Sequence, residues 1–404
     1  MKRLVGTTIR GLRTPIINEG DHLLEMLPRL LEKAAESEGF KVRDRDVLCI
    51  TESVLARSQG NYAHVNDIAA SLSKRFPQKP LKIAVIHPIL SRNRFAMLLR
   101  GIAIAADEII IQLSYPTDEV GNQLIDKEEL WSANVNPYTD VFDEAQFHKI
   151  FTRYYHEFTG INYIDLYRDI CEKESCEVSF VFANDPRAIA KLVDYAVVCD
   201  VHTREKTTQI LKEAGIAHVI GLTDILNQAN PTHGYNKEYG LLGSNKATED
   251  KIKLFPRDSQ VFVEQLQQKL KEHFGKNIEV MVYGDGAFKD PYGGIWELAD
   301  PVVSPGFTSG LRGRPKELKI KYLADNDYAG LPSEELTCKI QERIREKLKA
   351  EANISSASAE GTTPRQITDL LGSLADLASG SGDKGTPIVY IQGYFDNYAD
   401  EYDD

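Results

Sequence analysis

The feature that most constrains this chain is an alternation running from about Ser91 to Leu226. The apolar runs DEIIIQLSY, EVSFVFA, YAVVCDV and AHVIGL have strand length, and RAIAKLVD and REKTTQILKEAG between them have helical spacing. Short apolar runs suit strands buried on both faces, and strands alternating with helices build a parallel or mixed sheet covered by helices. Gly215 stops the second helical segment, because glycine tolerates the left-handed residue that closes a helix. The expected class is α/β in the mixed, α+β sense.

The flanks have a different texture. Residues 1–90 predict a strand near Leu4–Ile9, a helix N-capped by Asp21, a strand over Asp46–Thr51 and the apolar run LKIAVI. From about Asn227 the chain is richer in Gly and Pro. There IEVMVY predicts a strand running into GDGAFKDPYGG, and ELKIKYLA predicts another before a helix over SEELTCKIQERIREKLKAEA. ISSASAEGTTP reads as a loop, and a helix over Ile367–Ala378 leads into the Gly-rich SGSGDKGTPIVYIQG. A chain of 404 residues suits roughly two or three cores, drawn here as 1–90, 91–226 and 227–404.

Composition removes several classes. A formal charge of -12 argues against a nucleic-acid binder, which needs a basic footprint. No apolar run approaches the roughly 20 residues of a membrane helix, and MKRLVGTTIRG lacks a signal-peptide apolar region. Cys49, Cys171, Cys176, Cys199 and Cys338 are scattered without a CxxC pair, which points away from disulfides and zinc and toward a cytoplasmic protein. The histidines show no HxxxH or HExxH spacing, no GxSxG or GxxxxGK[ST] motif occurs, and no GxGxxG follows a strand of the alternating stretch, which argues against a dehydrogenase.

Four segments carry candidate chemistry. In GDGAFKDPYGG, Asp285 follows a strand between glycines, where a carboxylate can hold Mg2+ or Mn2+, with Lys289 available to a phosphate. The same residues also suit a tight turn. GLLGSNKATEDK offers Ser244 and Asn245 to a phosphate or base, or is a plain loop. SGSGDKGTP, with Lys384, is either a phosphate cradle or a linker. SGLRGRPKELK clusters Arg312 and Arg314, suited to an anionic substrate or to a solvated turn.

The order of these segments resembles the γ-glutamyl ligases of coenzyme F420. TPIINEGDHLLEML is similar to that family's opening motif. VLCITESVLARSQG is similar to its strand and loop ending Ser-Lys-Ala-Glu-Gly, with Arg57 in the lysine's place. GLLGSN, VMVYGDG, RGRPKELKIKYLAD and DLLGSLADLASGSGDKGTPIVYIQG resemble four further family segments in the same order. The resemblance spans roughly residues 4–90 and 235–395, which implies a ligase core interrupted by an inserted α/β subdomain at about 91–226.

The resemblance also implies a reaction. A carboxylate is a poor electrophile, so GTP or ATP converts it to an acyl phosphate, from which the amine of L-glutamate displaces phosphate. By this resemblance Asp285 binds Mg2+ or Mn2+, and Thr14, Pro15, Ile16, Ile17, Ser53, Arg57, Ser244 and Asn245 line the nucleotide site. Gly380, Gly382, Lys384 and Gly385 would cradle phosphate, and a homodimer is implied. The family's metal-binding aspartate falls on Leu242, the glutamate of its closing loop on Ser381, and the threonine after its central aspartate on Gly286. Asp383, Asp118, Glu119 or Asp325 would then stand in as ligands. Otherwise the chain is a non-catalytic nucleotide- or metabolite-binding descendant.

Overall fold

The computed structural model describes residues 4–118, 121–157, 159–284, 304–315, 318–347, 365–380 and 382–400, with the backbone of 288–289 and 296–297. The fold is mixed α/β. Strands and helices are numbered in chain order. A five-stranded sheet has the order β1 (Thr8–Leu12), β16 (Ile388–Gln392), β2 (Val47–Thr51), β12 (Glu279–Tyr283), β15 (Gly306–Phe307). Only β2 and β12 run parallel in it. Its central strands are apolar throughout, so both faces must be covered. On one face α1 (Leu23–Glu38) and α9 (Ser259–Phe274) bury Leu23, Leu27, Leu31, Val263, Leu266 and Leu270 against Leu48, Ile50 and Val280. These leucines recur every three or four residues, the spacing that lines one side of a helix. On the other face α12 (Ile367–Ser379) places Leu371 and Ala375 against Cys49, Met281 and Val389.

The six-stranded sheet has the order β6 (Phe142–Asp143), β7 (Glu177–Phe182), β5 (Glu108–Leu113), β4 (Lys82–Ile86), β8 (Tyr195–Val198), β9 (His218–Gly221). All but the edge strand β6 are parallel. The run LKIAVI, assigned by sequence to the N-terminal part, supplies its strand β4. One face packs on α3 (Val65–Arg75), α4 (Phe95–Ala105) and α7 (Tyr163–Lys173). The other packs on α8 (Arg204–Glu213) and a 3-10 turn at Pro186–Ile189. The short helices α5 (Lys127–Ser132) and α6 (Glu144–Ile150) lie between β5 and β7. A three-stranded sheet, β10 (Asn245–Lys246), β11 (Lys251–Lys253) and β3 (Tyr62–His64), sits beside the helix α2 (Glu52–Ser58). β13 (Phe288–Lys289) pairs with β14 (Trp296–Glu297).

Several local expectations change. The first strand begins at Thr8 rather than Leu4. Asp21 precedes the cap position, His22, and its carboxylate accepts from the Asn18 amide at 2.7 Å. RAIAKLVD forms only the 3-10 turn, held by Asp185 accepting from the Arg187 amide at 2.9 Å. ELKIKYLA is not a strand: its described residues enter α10 (Ile320–Tyr322) and a π turn, Leu323–Asp327, before α11 (Ser333–Lys347). Its alternating apolar residues suggested a pleat, but Leu323 is buried against Ile340 and Ile344 of α11, with Leu318, Ala324 and Tyr328 packed around them. That one-sided packing favours a helical turn over a strand with two faces.

Candidate functional site

Strand register brings distant segments to one edge of the five-stranded sheet. Leu12 pairs with Ile388, Ile388 with Ile50, and Thr51 with Tyr283. The loops leaving β1 and β2 and the loop entering β16 therefore share that edge. Between them lies a pocket of about 370 Å³. Thr14, Pro15, Ile16 and Ile17 form one wall, and Thr51, Ser53, Val54 and Arg57 a second. Ser379, Gly380, Gly382, Gly385, Thr386 and Pro387 form the third.

The walls hold one another. Thr14 N donates to Gly385 O at 3.1 Å and Thr51 N to Pro387 O at 3.2 Å. Thr386 Oγ1 donates to Ser379 O at 2.8 Å, and the Arg57 guanidinium donates to Ile17 O. Thr51 also caps α2, accepting from Val54 N at 3.3 Å. Gly380 and Gly385 both have φ 65°, the left-handed region that favours glycine, which lets the third wall fold back on itself. Ile16 is 80% exposed, an apolar surface left available to a ligand, whereas Ile17 is buried.

Positive charge reaches the pocket from two elements. Arg57 lies in its wall, and Lys253 of β11 donates to Ser53 Oγ. Asn245 pairs directly with Lys253 across the β10–β11 ladder, so GLLGSN meets the pocket through that lysine rather than by lining it. Ser244 is buried and its hydroxyl has no partner among the described residues. Leu242 is buried in the core beneath the six-stranded sheet, where a leucine belongs and a metal ligand would not. Tyr283, also buried, has its hydroxyl pushed above the ordinary phenol range, first by burial and then by the nearby Cys49 thiol. Ser379 Oγ, close to that hydroxyl, donates to Asp376 O at 2.7 Å, and no hydrogen bond of good geometry reaches the Tyr283 oxygen among the described residues.

The remaining candidates are dispersed. Asp285, Glu119 and Ser381 lie outside the described residues. By sequence Asp285 follows Tyr283, the partner of Thr51, by two positions. Lys289 has its backbone in β13, and its side chain lies outside the description. Asp383 and Lys384 are exposed on a 3-10 turn at Gly382–Lys384, within the third wall's loop but not among its lining residues. Arg312 and Arg314 flank Gly313, whose carbonyl accepts from Ile367 N at 2.9 Å. They sit at the start of α12, a helix of 13 residues whose other end meets the pocket, so about 20 Å of helix intervenes. Asp118 is on the loop after β5, where its carboxylate accepts from the Asn122 amide and side chain, both at 2.8 Å. Asp325 is exposed on the π turn.

The loop expected by resemblance to cradle phosphate, 380–386, includes Thr386, and Ser379 and Pro387 end the candidate segment SGSGDKGTP. Sequence reasoning gave no site role to Thr51, Val54 or Lys253, the first two of which lie in the segment VLCITESVLARSQG and needed only the edge register to be included. Lys253 carried no signal, since only the pairing of β10 with β11 turns it toward Ser53. Among the described residues no three His, Cys, Asp or Glu side chains are grouped to hold a metal ion. No helix of the described residues is long and apolar enough to cross a membrane.

The family model for F420-0:Gamma-glutamyl ligase matches residues 11–393. No curated protein matches the chain.

Proposed function

The chain belongs to the F420-0:gamma-glutamyl ligase family, and from that premise we propose that it joins L-glutamate to an anionic acceptor of the coenzyme F420 precursor class. GTP or ATP is the proposed energy source. The observation carrying this reading is that three segments far apart in sequence, around 14–17, 51–57 and 379–387, close on one pocket.

The chemistry asks for little covalent help from the protein. An acceptor carboxylate oxygen attacks the terminal phosphorus, and the nucleoside diphosphate leaves. The amine then attacks the acyl carbon, phosphate departs with the C–O bonding pair, and the nitrogen loses a proton. Such phosphoryl transfers rest on positioning and on positive charge around the phosphates. Arg57 supplies one such charge in the wall, and Lys253, oriented by Ser53, supplies another beside it. Gly380, Gly382 and Gly385 let phosphate oxygens approach the loop backbone, and Pro15, Ile16 and Val54 offer apolar surface to the base. Mg2+ or Mn2+ would be held by phosphate oxygens with Asp285 and Asp383, adding charge there.

A ligand that binds only the folded chain stabilises it, by about 2.7 kcal/mol at a hundred times its Kd. Thermal melts with GTP and ATP, each with Mg2+ or Mn2+, should show that rise. Absence of any shift at millimolar nucleotide would sink the ligase reading. Nucleotide binding with no amide formed from glutamate would leave a binding protein in its place.

A further inference from the structure

A second edge of the molecule has the features of a ligand site. Counting outward from β4, β5 and β7 lie on one side of it and β8 and β9 on the other, so the winding reverses between β4 and β8. The chain after β4 leads to α4 on one face of the sheet, and the chain after β8 leads to α8 on the opposite face. The loops 87–94 and 199–203 therefore part above the C-terminal strand ends. In open parallel sheets that reversal point is where ligands bind.

Two buried acceptors wait at this edge. Gln112 near the end of β5 and Asp200 just after β8 keep step with Ile110 and Val198, which face α8. Gln112 is fully buried, and its amide nitrogen donates to Ala183 O and Asp185 O, both at 2.9 Å. Asp200 is 2% exposed, and its Oδ2 accepts from Thr203 Oγ1 at 2.5 Å and Thr207 Oγ1 at 2.8 Å. The other oxygen of each, Gln112 Oε1 and Asp200 Oδ1, has no partner among the described residues. Buried polar atoms are rarely left so, least of all on a carboxylate. His87, at the end of β4 between them, has φ 47°, and its Nε2 lies 3.0 Å from Ala183 O. Burial holds the His87 and His202 imidazoles below their usual range, so at neutral pH neither supplies a counter-charge to Asp200.

We propose that a crevice opens at these strand ends and is a second small-molecule site, taking a metabolite of the ribonucleoside class that donates hydrogen bonds to Asp200 and Gln112. The two acceptors are on strands separated by β4, so their backbones are about 10 Å apart. One water or one ammonium cannot serve both. A ribonucleoside has sugar hydroxyls at one end, which carboxylates of doubly wound sheets accept, and base N–H groups at the other. The residues after β4, HPILSRNRF, contain no glycine turn to admit a pyrophosphate, which favours a nucleoside over a dinucleotide.

Calorimetric titration of the full chain with adenosine, guanosine, cytidine and uridine tests this. At least one should bind saturably, one per chain. Asp200→Asn turns an amide N–H toward the ligand's donor, and Gln112→Leu removes the other acceptor. Each should weaken binding about tenfold or more while leaving GTP binding intact. Arg57→Ala, which alters the first pocket, should leave nucleoside binding unchanged. Binding by none of the four overturns the proposal, as does binding lost in Arg57→Ala yet kept in both crevice variants. Should the crevice variants not fold, crystals of the unaltered chain soaked in each nucleoside decide. Density for the nucleoside on both oxygens supports the site, and ordered water alone there refutes it.

Discussion

The two sheet edges are built on opposite plans. At the five-stranded edge the polar groups of the loops hold the loops to one another, as in Thr14 N to Gly385 O and Arg57 to Ile17 O, and open volume is left between. At the six-stranded edge all strands but β6 are parallel and no Gly-rich loop follows them, but one oxygen each of buried Gln112 and Asp200 has no donor among the described residues. The first plan shows itself as space and the second only through hydrogen-bond accounting. A bulky phosphorylated ligand, as proposed, would suit the former, because close approach to backbone and positive charge would do the binding. A small uncharged ligand suits the latter, because each buried acceptor discriminates for a donor.

The largest effect that would break this contrast is on turnover. Asp285→Asn keeps size but removes the charge that attracts a cation. It is expected to abolish metal-dependent nucleotide binding and amide formation, with little change in melting temperature and none in nucleoside binding at the six-stranded edge. If Asp285 merely forms a turn, asparagine serves equally well, and unchanged turnover would remove it from the site. Next comes Arg57→Ala. Losing a charge-assisted contact to phosphate and the tether on Ile17 should weaken GTP or ATP about ten- to a hundredfold. Lysine at this position should recover only part, because it cannot hold Ile17 O and a phosphate at once with a planar fork. Equal affinity in calorimetry for the alanine variant would show that the pocket binds something other than a phosphate.

Much of the architecture was legible because apolar runs and helix stops are local signals. The strands at β2, β4, β5, β7, β8, β12 and β16 all fall on the runs that sequence picked out. The segments Thr14–Ile17, Ser53–Arg57 and Gly380–Gly385 were named by family resemblance, and the register of β1, β16 and β2 explains why they meet. What was illegible depends on long-range pairing. Asp46 is buried because Tyr390 and Gln392, more than 300 residues away, donate to its carboxylate. Lys253 reaches Ser53 only through a three-stranded sheet whose strands hold two or three residues each, too short to leave a period in the sequence. ELKIKYLA misled because an alternating pattern of six residues also fits a tight helical turn with one buried side.

A smaller effect should separate the two regions energetically. Gly101 lies in α4 against α3, and a Cβ there would meet Ile68 side-chain atoms at 2.7–2.9 Å. Gly101→Ala gains helix propensity, worth about 1 kcal/mol, but overpacks a contact that costs about 1–3 kcal/mol. A net loss of up to about 2 kcal/mol in urea unfolding follows from those two terms. The stabilisation conferred by nucleotide should remain, since the pocket is bounded by other elements. Loss of the nucleotide response in this variant would show that the six-stranded layer sets the geometry of the first pocket.

The smallest expected effect concerns acid. His87, His156 and His202 are held below the ordinary imidazole range, in each case first by burial, and all three belong to the six-stranded region. Among the described residues no histidine lines the pocket at the five-stranded edge. As pH falls past about 6.5 the unfolded chain takes up protons that the folded chain still refuses. Stability present above that pH is therefore lost below it, by at most about 1.4 kcal/mol per pH unit for each such group. His87→Asn removes one titrating group, and asparagine accepts the left-handed φ of 47° more readily than most residues. Urea unfolding between pH 6.5 and 5 should show a shallower fall for this variant than for the unaltered chain. A slope that does not change would mean that His87 takes up its proton in the folded state as easily as in the unfolded one. The edge beside Asp200 would then be wet and open rather than dry, and the contrast between the two edges would disappear.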